Sequence, residues 1–342
     1  MKKLILIAAT LILGTSLVFA NGSAENSGAA PKASTTPVLI KVAGVNQVMP
    51  AYPGNVKFKE LVDKALPGKY DIQLYGNNVL GDDLHVAEAV RMGTIQMCVV
   101  DNSVLAGLVP QVSVLNLPFL FPNSQAAWAV CNGSVGQKLD SLLAEKGFQV
   151  MTYYENGFRD LTNSVRAVST PADLKGMKIR VMESPLQIAL WRSLGANATP
   201  MPFTELFTAM QQKTVDGQEN PVPTIYNNKF YEVQKFVTLD GHSWSAHMFL
   251  ANKKFFDALP AGDQKVLLDA AQQSAKYEFD LSASLVKEAT GKLTGAGMTV
   301  TTLTPEQLKL FQDAAAPVYK QLEPSIGKDL IDEAKQIVAN VK

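Results

Sequence analysis

Strand-like and helix-like stretches alternate from Leu39 onward, and this alternation restricts the possible fold more than any other feature. Leu39 to Gly44 has the character of a first strand. Asn55 to Ala65 follows as a helix with Val56, Phe58, Leu61 and Val62 on one apolar face, and Tyr70 to Tyr75 carries Ile72 and Leu74 at alternate positions. A crossover of this length implies parallel pairing and hence an α/β sheet with helices on its faces. Gly81-Asp82-Asp83-Leu84 opens a second helix, running to Met92, with acidic residues at its positive end, and Ile95 to Val100 supplies a third strand. The 342 residues, 47% hydrophobic and 18% charged, suffice for two such domains with separate cores.

Chemistry-bearing residues concentrate between Gly157 and Pro221. In Met177 to Val181, Ile179 and Val181 alternate with Lys178 and Arg180, so a strand turns the two aliphatics inward and Arg180 to the opposite face. Taken alone, such an arginine belongs to a solvated face. Its company favours a second reading. Arg159 lies in an aromatic, glycine-bearing strand-to-loop segment, and Asn220 directly precedes a helix-starting Pro221. A guanidinium fork binds a carboxylate through two parallel hydrogen bonds, and an amide adds a donor without charge. Two arginines and an asparagine can therefore form a carboxylate clamp.

The same stretch resembles the solute-binding receptors of TRAP transporters, the DctP-type family. The resemblance is carried by Gly157-Phe158-Arg159 with Asn163-Ser164, by Asp173 to Val181 and by Met201 to Asn220, and it extends more loosely from Val38 to the C-terminus. It implies a two-domain α/β periplasmic binding protein with a ligand cleft between the domains and a long helix spanning both. It further implies that Arg180 forms a salt bridge to a ligand carboxylate, assisted by Arg159 and Asn220, with Phe203 lining the pocket. The expected partition is 38–156 with 246–285 in domain I and 157–245 with 286–342 in domain II. The spanning helix would be the apolar-patterned run from Gln264 to about Thr290.

Asp101 follows the third strand, where open α/β sheets bind ligands beyond the carboxyl ends of their strands. It is equally a cap for the segment starting at Ser103. The resemblance favours the pocket, since family members that bind acid sugars can carry a carboxylate there. Asn46 matches a further pocket position, and Asp83 is a third candidate. His242 is a candidate for the cleft, although a lone histidine is more often structural. Glu155 is placed on the surface, and Trp191 and Leu194 in the core.

At the N-terminus, Lys2 and Lys3, the apolar run Leu4 to Val18 and Val18-Phe19-Ala20 read as a cleavable signal peptide over 1–20, directing the chain to the periplasm. Residues 21–37, rich in Gly, Ser, Ala, Thr and Pro, read as a flexible leader. Cys98 and Cys131 could pair in an oxidising compartment, but Cys98 equally suits a buried site, and free thiols are preferred. Lys+Arg and Asp+Glu are both 31, so the balanced charge leaves no footprint for nucleic acid or an anionic membrane.

A receptor that hands a small organic acid to TRAP membrane permease subunits, acting as a monomer without cofactor or metal, is therefore the expected function. The rival from another class is a secreted enzyme on acid sugars using Asp101 and Glu155 as acid and base. The chain lacks His-Glu-x-x-His, Gly-x-Ser-x-Gly and phosphate-loop motifs, and its histidines lack paired metal spacing. Charge balance points to a uronate or aldonate, because Arg159 and Arg180 hold one end while Asn46, Asp83 and Asp101 face the other. A C4-dicarboxylate or keto acid becomes preferable if His242 or Lys178 supplies a second positive end.

Overall fold

The computed structural model describes residues 36–44 and 51–341. Asn46 and the signal-peptide and leader segments, up to Thr35, lie outside the described residues. The chain opens with β1 (Val38–Gly44), α1 (Ala51–Ala65), β2 (Tyr70–Tyr75), α2 (Asp83–Met92) and β3 (Met97–Asp101). β1 pairs in parallel with both β2 and β3, as the crossover lengths require. Phe58 and Val62 of α1 are fully buried, while Val56 stands 37% exposed and does not join the apolar face. Two 3-10 turns, Asn102–Gly107 and Pro110–Asn116, then lead through residues 117–123, which include Pro118 and Pro122, to α3 (Ser124–Cys131) and α4 (Ser134–Glu145).

β4 (Phe148–Asn163) is followed by β5 (Lys178–Val181), α5 (Pro185–Ser193), β6 (Asn197–Pro200), α6 (Phe203–Gln211), β7 (Gly217–Pro221) and α7 (Val222–Asn227). Next come β8 (Phe236–Asn252), α8 (Lys253–Asp257), α9 (Ala261–Gly295), β9 (Thr299–Thr302), α10 (Pro305–Ile326) and α11 (Lys328–Asn340). The strands form one sheet in the order β2-β1-β3-β8-β4-β7-β5-β6, with β9 on the first half of β8. Each end of the sheet is a group of parallel strands, β2-β1-β3 or β6-β5-β7, and the long antiparallel strands β4 and β8 run through both.

This crossing pair explains how strands far apart in sequence meet at one place. Gly217 permits part of it, since a Cβ there would come within 2.2 Å of the Thr162 carbonyl of β4. The 35-residue α9 is also shared between the ends. Leu267, Ala271 and Ala275 join the core around α1 and β1–β3, whereas Ala289 and Leu293 join the core around α6 and α7. α10 packs on α5, but α11 packs on α3 and α4. Cys98 and Cys131 are free, buried thiols whose ionisation is opposed chiefly by burial. Among the described residues no helix is long and apolar enough to cross a membrane.

Candidate ligand-binding site

The carboxyl ends of β3, β5 and β7 present Asp101, Arg180 and Asn220 to a cleft of about 610 Å³ of atom-free space, open mouth included. β4 and β8 cross its floor. In β4 the pairing shifts between Glu155, opposite Ala246, and Gly157, opposite Ser245, so Asn156 is an extra residue. Gly157 takes φ +109°, a backbone that side chains resist, and the resulting bulge turns Asn156 onto the cleft wall. α2 brings Asp82 and Asp83 to the mouth. Asp82 caps the helix by accepting from the His85 amide at 3.1 Å.

Arg159 is fully buried and largely spent inside the protein. Its Nη2 donates to Glu219 Oε1 at 2.9 Å and to Asn220 Oδ1 at 3.2 Å, and its Nε donates to Glu219 Oε2. Its Nη1 reaches Ser245 Oγ at 3.2 Å and Asp101 Oδ2 at 3.5 Å. Behind Glu219 stands His242, with Nε2 3.2 Å from Glu219 Oε2 and Nδ1 3.0 Å from Asp240 Oδ1. Burial alone would raise the Glu219 carboxyl, but Arg159 and His242 outweigh it and hold the group at about 2. Burial likewise opposes charge on His242, yet Asp240 and Glu219 lift the imidazole to about 9. Glu219 thus sits between two cations.

Arg180 differs. Only 1% exposed, it donates from Nε and Nη2 to the Met201 carbonyl at 3.0 and 2.8 Å, while Nη1 has no hydrogen-bond partner among the described residues. Burial is the main reason its pKa drops to about 10; Glu219 partly opposes the fall and Arg159 adds to it. Among the described residues no carboxylate lies within ion-pair distance, and Phe203 presents its ring 6.0 Å from the guanidinium carbon. A buried guanidinium left with an unpaired N–H is costly unless an anion completes it.

The same cleft is rich in acceptors. Asp101 Oδ1 caps the following turn at Ser103 N, 2.8 Å away, and the residue also lines the cleft. Its Oδ2 accepts from Asn156 Nδ2 at 2.8 Å. Asp83 Oδ2 accepts the Asp101 amide at 3.0 Å, and burial, with Asp101 nearby, pushes its carboxyl up to about 7.

Arg159, Arg180, Asn220, Phe203, Asp101 and Asp83 therefore line one cavity, and Asn46 lies outside the described residues. The solvated alternative for Arg180 is overturned, because the strand face it occupies is covered. His242 does not line the cleft as expected but lies behind it, its ring nitrogens taken by two carboxylates. Lys178 is exposed and donates to the Lys213 carbonyl, so it also stands away from the cleft. Glu155 is not on the surface. It is 3% exposed and accepts from Trp244 Nε1 and Ser282 Oγ, off the cavity wall and thus unable to pair with Asp101 across a substrate. Sequence reasoning missed Asn156, Glu219 and His247. A signal existed for His247: Ser243, Ser245 and His247 form a polar row at period two, opposite the apolar Trp244, Ala246 and Met248.

Over residues 43–325 the chain matches the model of the bacterial extracellular solute-binding proteins, family 7. It is 38% identical, over 75% of its length and 78% of the relative's, to the 2,3-diketo-L-gulonate-binding periplasmic protein of Escherichia coli strain K12. Among solved structures it is similar to the sugar acid binding protein of Advenella mimigardefordensis in complex with galactonate, at TM-score 0.86 and 36% identity, covering 89% of this chain and 98% of that one. It is also similar to a TRAP periplasmic solute binding protein from Shewanella oneidensis with bound succinate, at TM-score 0.85 and 31% identity, covering 88% and 99%. With a match over most of its length, and with a buried arginine facing a cleft in a fold shared with these receptors, the chain belongs to family 7 of the bacterial extracellular solute-binding proteins, the periplasmic receptors of TRAP transporters.

Proposed function

We propose that this receptor captures an acid sugar, an aldonate or uronate with one carboxylate and several hydroxyls, and delivers it unchanged to the TRAP permease. The observation that carries the proposal is the Nη1 of Arg180, a buried cationic donor without a partner among the described residues, on a side chain that lines the cleft. It suits a single carboxylate. The remaining described wall favours hydroxyls, since Asp82, Asp83, Asp101 and Glu183 offer acceptors. Arg159 adds little net positive charge there because Glu219 offsets it. A second carboxylate at the far end would meet like charge in a low-dielectric cleft. The galactonate-bound and diketogulonate-binding relatives support this class.

Export by cleavage after Ala20, action as a monomer, and a domain division near Asn156 and Ser245 complete the proposal. The bulge at Asn156 supports the last point, as a break in strand register is a suitable place for bending. The second reading, a C4-dicarboxylate, is favoured by the succinate-bound relative, but the cations that would hold its far end, Lys178 and His242, stand away from the cleft. A thermal-shift screen pairs galactonate, gluconate, glucuronate and galacturonate with succinate, malate and pyruvate. Stabilisation by the sugar acids is expected, by about 2.7 kcal/mol at roughly one hundred times the dissociation constant. Stabilisation by succinate or malate alone would sink the sugar-acid assignment.

A further inference from the structure

We infer that His247, together with Asn156, reads the hydroxyls of the bound acid and so sets selectivity for long polyhydroxylated acids over short ones. This inference rests on the receptor function proposed above. His247 and Asp101 are Cα partners across β3 and β8, so their side chains share a face, and both line the cleft. His247 is 2% exposed, and its Nδ1 has no hydrogen-bond partner among the described residues. Asn156 is 5% exposed. Its Nδ2 is held by Asp101 Oδ2 at 2.8 Å and Ser245 Oγ at 3.0 Å, which fixes the amide orientation and leaves Oδ1 unpartnered among the described residues.

Two buried polar atoms without partners among the described residues, on side chains that line the same cavity as Arg180, call for complementary groups. An amide oxygen can only accept, which selects a donor and rejects a carboxylate. A neutral imidazole nitrogen accepts or donates according to its tautomer, and a hydroxyl matches either state. His247 is neutral at physiological pH. Burial lowers its pKa to about 4; Asp101, opposite it, works against the fall and Arg159 adds to it. Neither residue therefore adds a cation for a second carboxylate. A ligand anchored at Arg180 gains from them only if its chain carries hydroxyls beyond the carboxyl end.

The test compares galactonate with glycolate, whose one hydroxyl adjoins its carboxylate, by calorimetry on the wild-type mature protein and on His247→Phe, which keeps a ring without polar atoms. His247→Phe should weaken galactonate by about tenfold and glycolate by less than about twofold, the loss expected for one buried hydrogen bond. His247→Gln, whose amide again offers donor and acceptor, should recover most of the loss. An unchanged galactonate-to-glycolate ratio in His247→Phe overturns the inference. Should that variant not fold, ¹⁵N-histidine NMR of the wild type decides. The Nδ1 resonance of His247 should shift on adding galactonate and hold still with glycolate, and no shift with galactonate overturns the inference. Arg180→Ala separates the two levels. Loss of both acids supports the anchor, whereas wild-type binding of both sinks the receptor site itself and this inference with it.

Discussion

Arg180 holds the Met201 carbonyl with two donors and keeps Nη1 without a partner among the described residues, so truncation would remove the proposed ligand contact and a brace for the start of α6. Arg180→Ala should weaken binding of the cognate acid by about 2–5 kcal/mol in calorimetry, because the ligand carboxylate is left buried without its partner. Arg180→Lys should recover little, since an ammonium cannot reproduce the planar fork that holds Met201 with two N–H groups while a third nitrogen stays beside the cleft. The Glu219–His242 pair gives a pH-dependent expectation. His242 titrates at about 9 in the folded protein, above the usual value of about 6.5 for an unfolded histidine. Its contribution is therefore fully present below about pH 6.5 and disappears as pH rises through 9. In urea melts, the stability excess of wild type over His242→Gln should shrink by up to about 3 kcal/mol between pH 6 and pH 10. A constant difference would mean that His242 is not held as an imidazolium.

The long helix α9 carries a buried carboxyl against β4. Glu278 is fully buried, its Oε2 accepts the Glu155 amide at 2.9 Å, and Oε1 has no partner among the described residues. Burial, with Glu155 adding to it, raises its pKa well above the usual range despite that amide hydrogen bond. The folded state therefore holds a proton that the unfolded chain releases, and stability falls as pH rises above the unfolded carboxyl pKa. Glu278→Gln keeps the shape without the titration. Its Tm should exceed that of wild type by a few degrees at pH 8 and by less at pH 5, as scanning calorimetry would show. Nothing in the spacing of α9 disclosed this, for Glu278 falls among ordinary helix-forming residues. Its burial follows from the approach of α1, where Gly54 would carry a Cβ 3.3 Å from that of Glu278.

For the whole molecule, the crossing strands β4 and β8 and the shared helix α9 connect the two domains, and closure on ligand is the expected motion. Small-angle scattering should show a smaller radius of gyration with the cognate acid and no change in Arg180→Ala. Mass spectrometry of the periplasmic fraction should find Asn21 as the first residue, and an intact Met1 in membrane pellets would refute export by cleavage. The α/β class and parallel β1–β2 pairing were legible because apolar periodicity and crossover length are local properties of the chain. The Arg180 strand was legible for the same reason, with Ile179 and Val181 buried as alternation demands. What surrounds Arg180 was not legible. Whether its guanidinium meets water, a carboxylate or a carbonyl depends on where α6 and β7 return, and the sequence does not state those distances. Only the tertiary structure assigned Glu219 to Arg159, withdrew His242 behind the wall and brought Asn156 and His247 onto it, because each outcome follows from register across β4, β7 and β8. Local pattern determined the elements and the charge at their ends; long-range strand pairing decided which of those charges is left for a ligand.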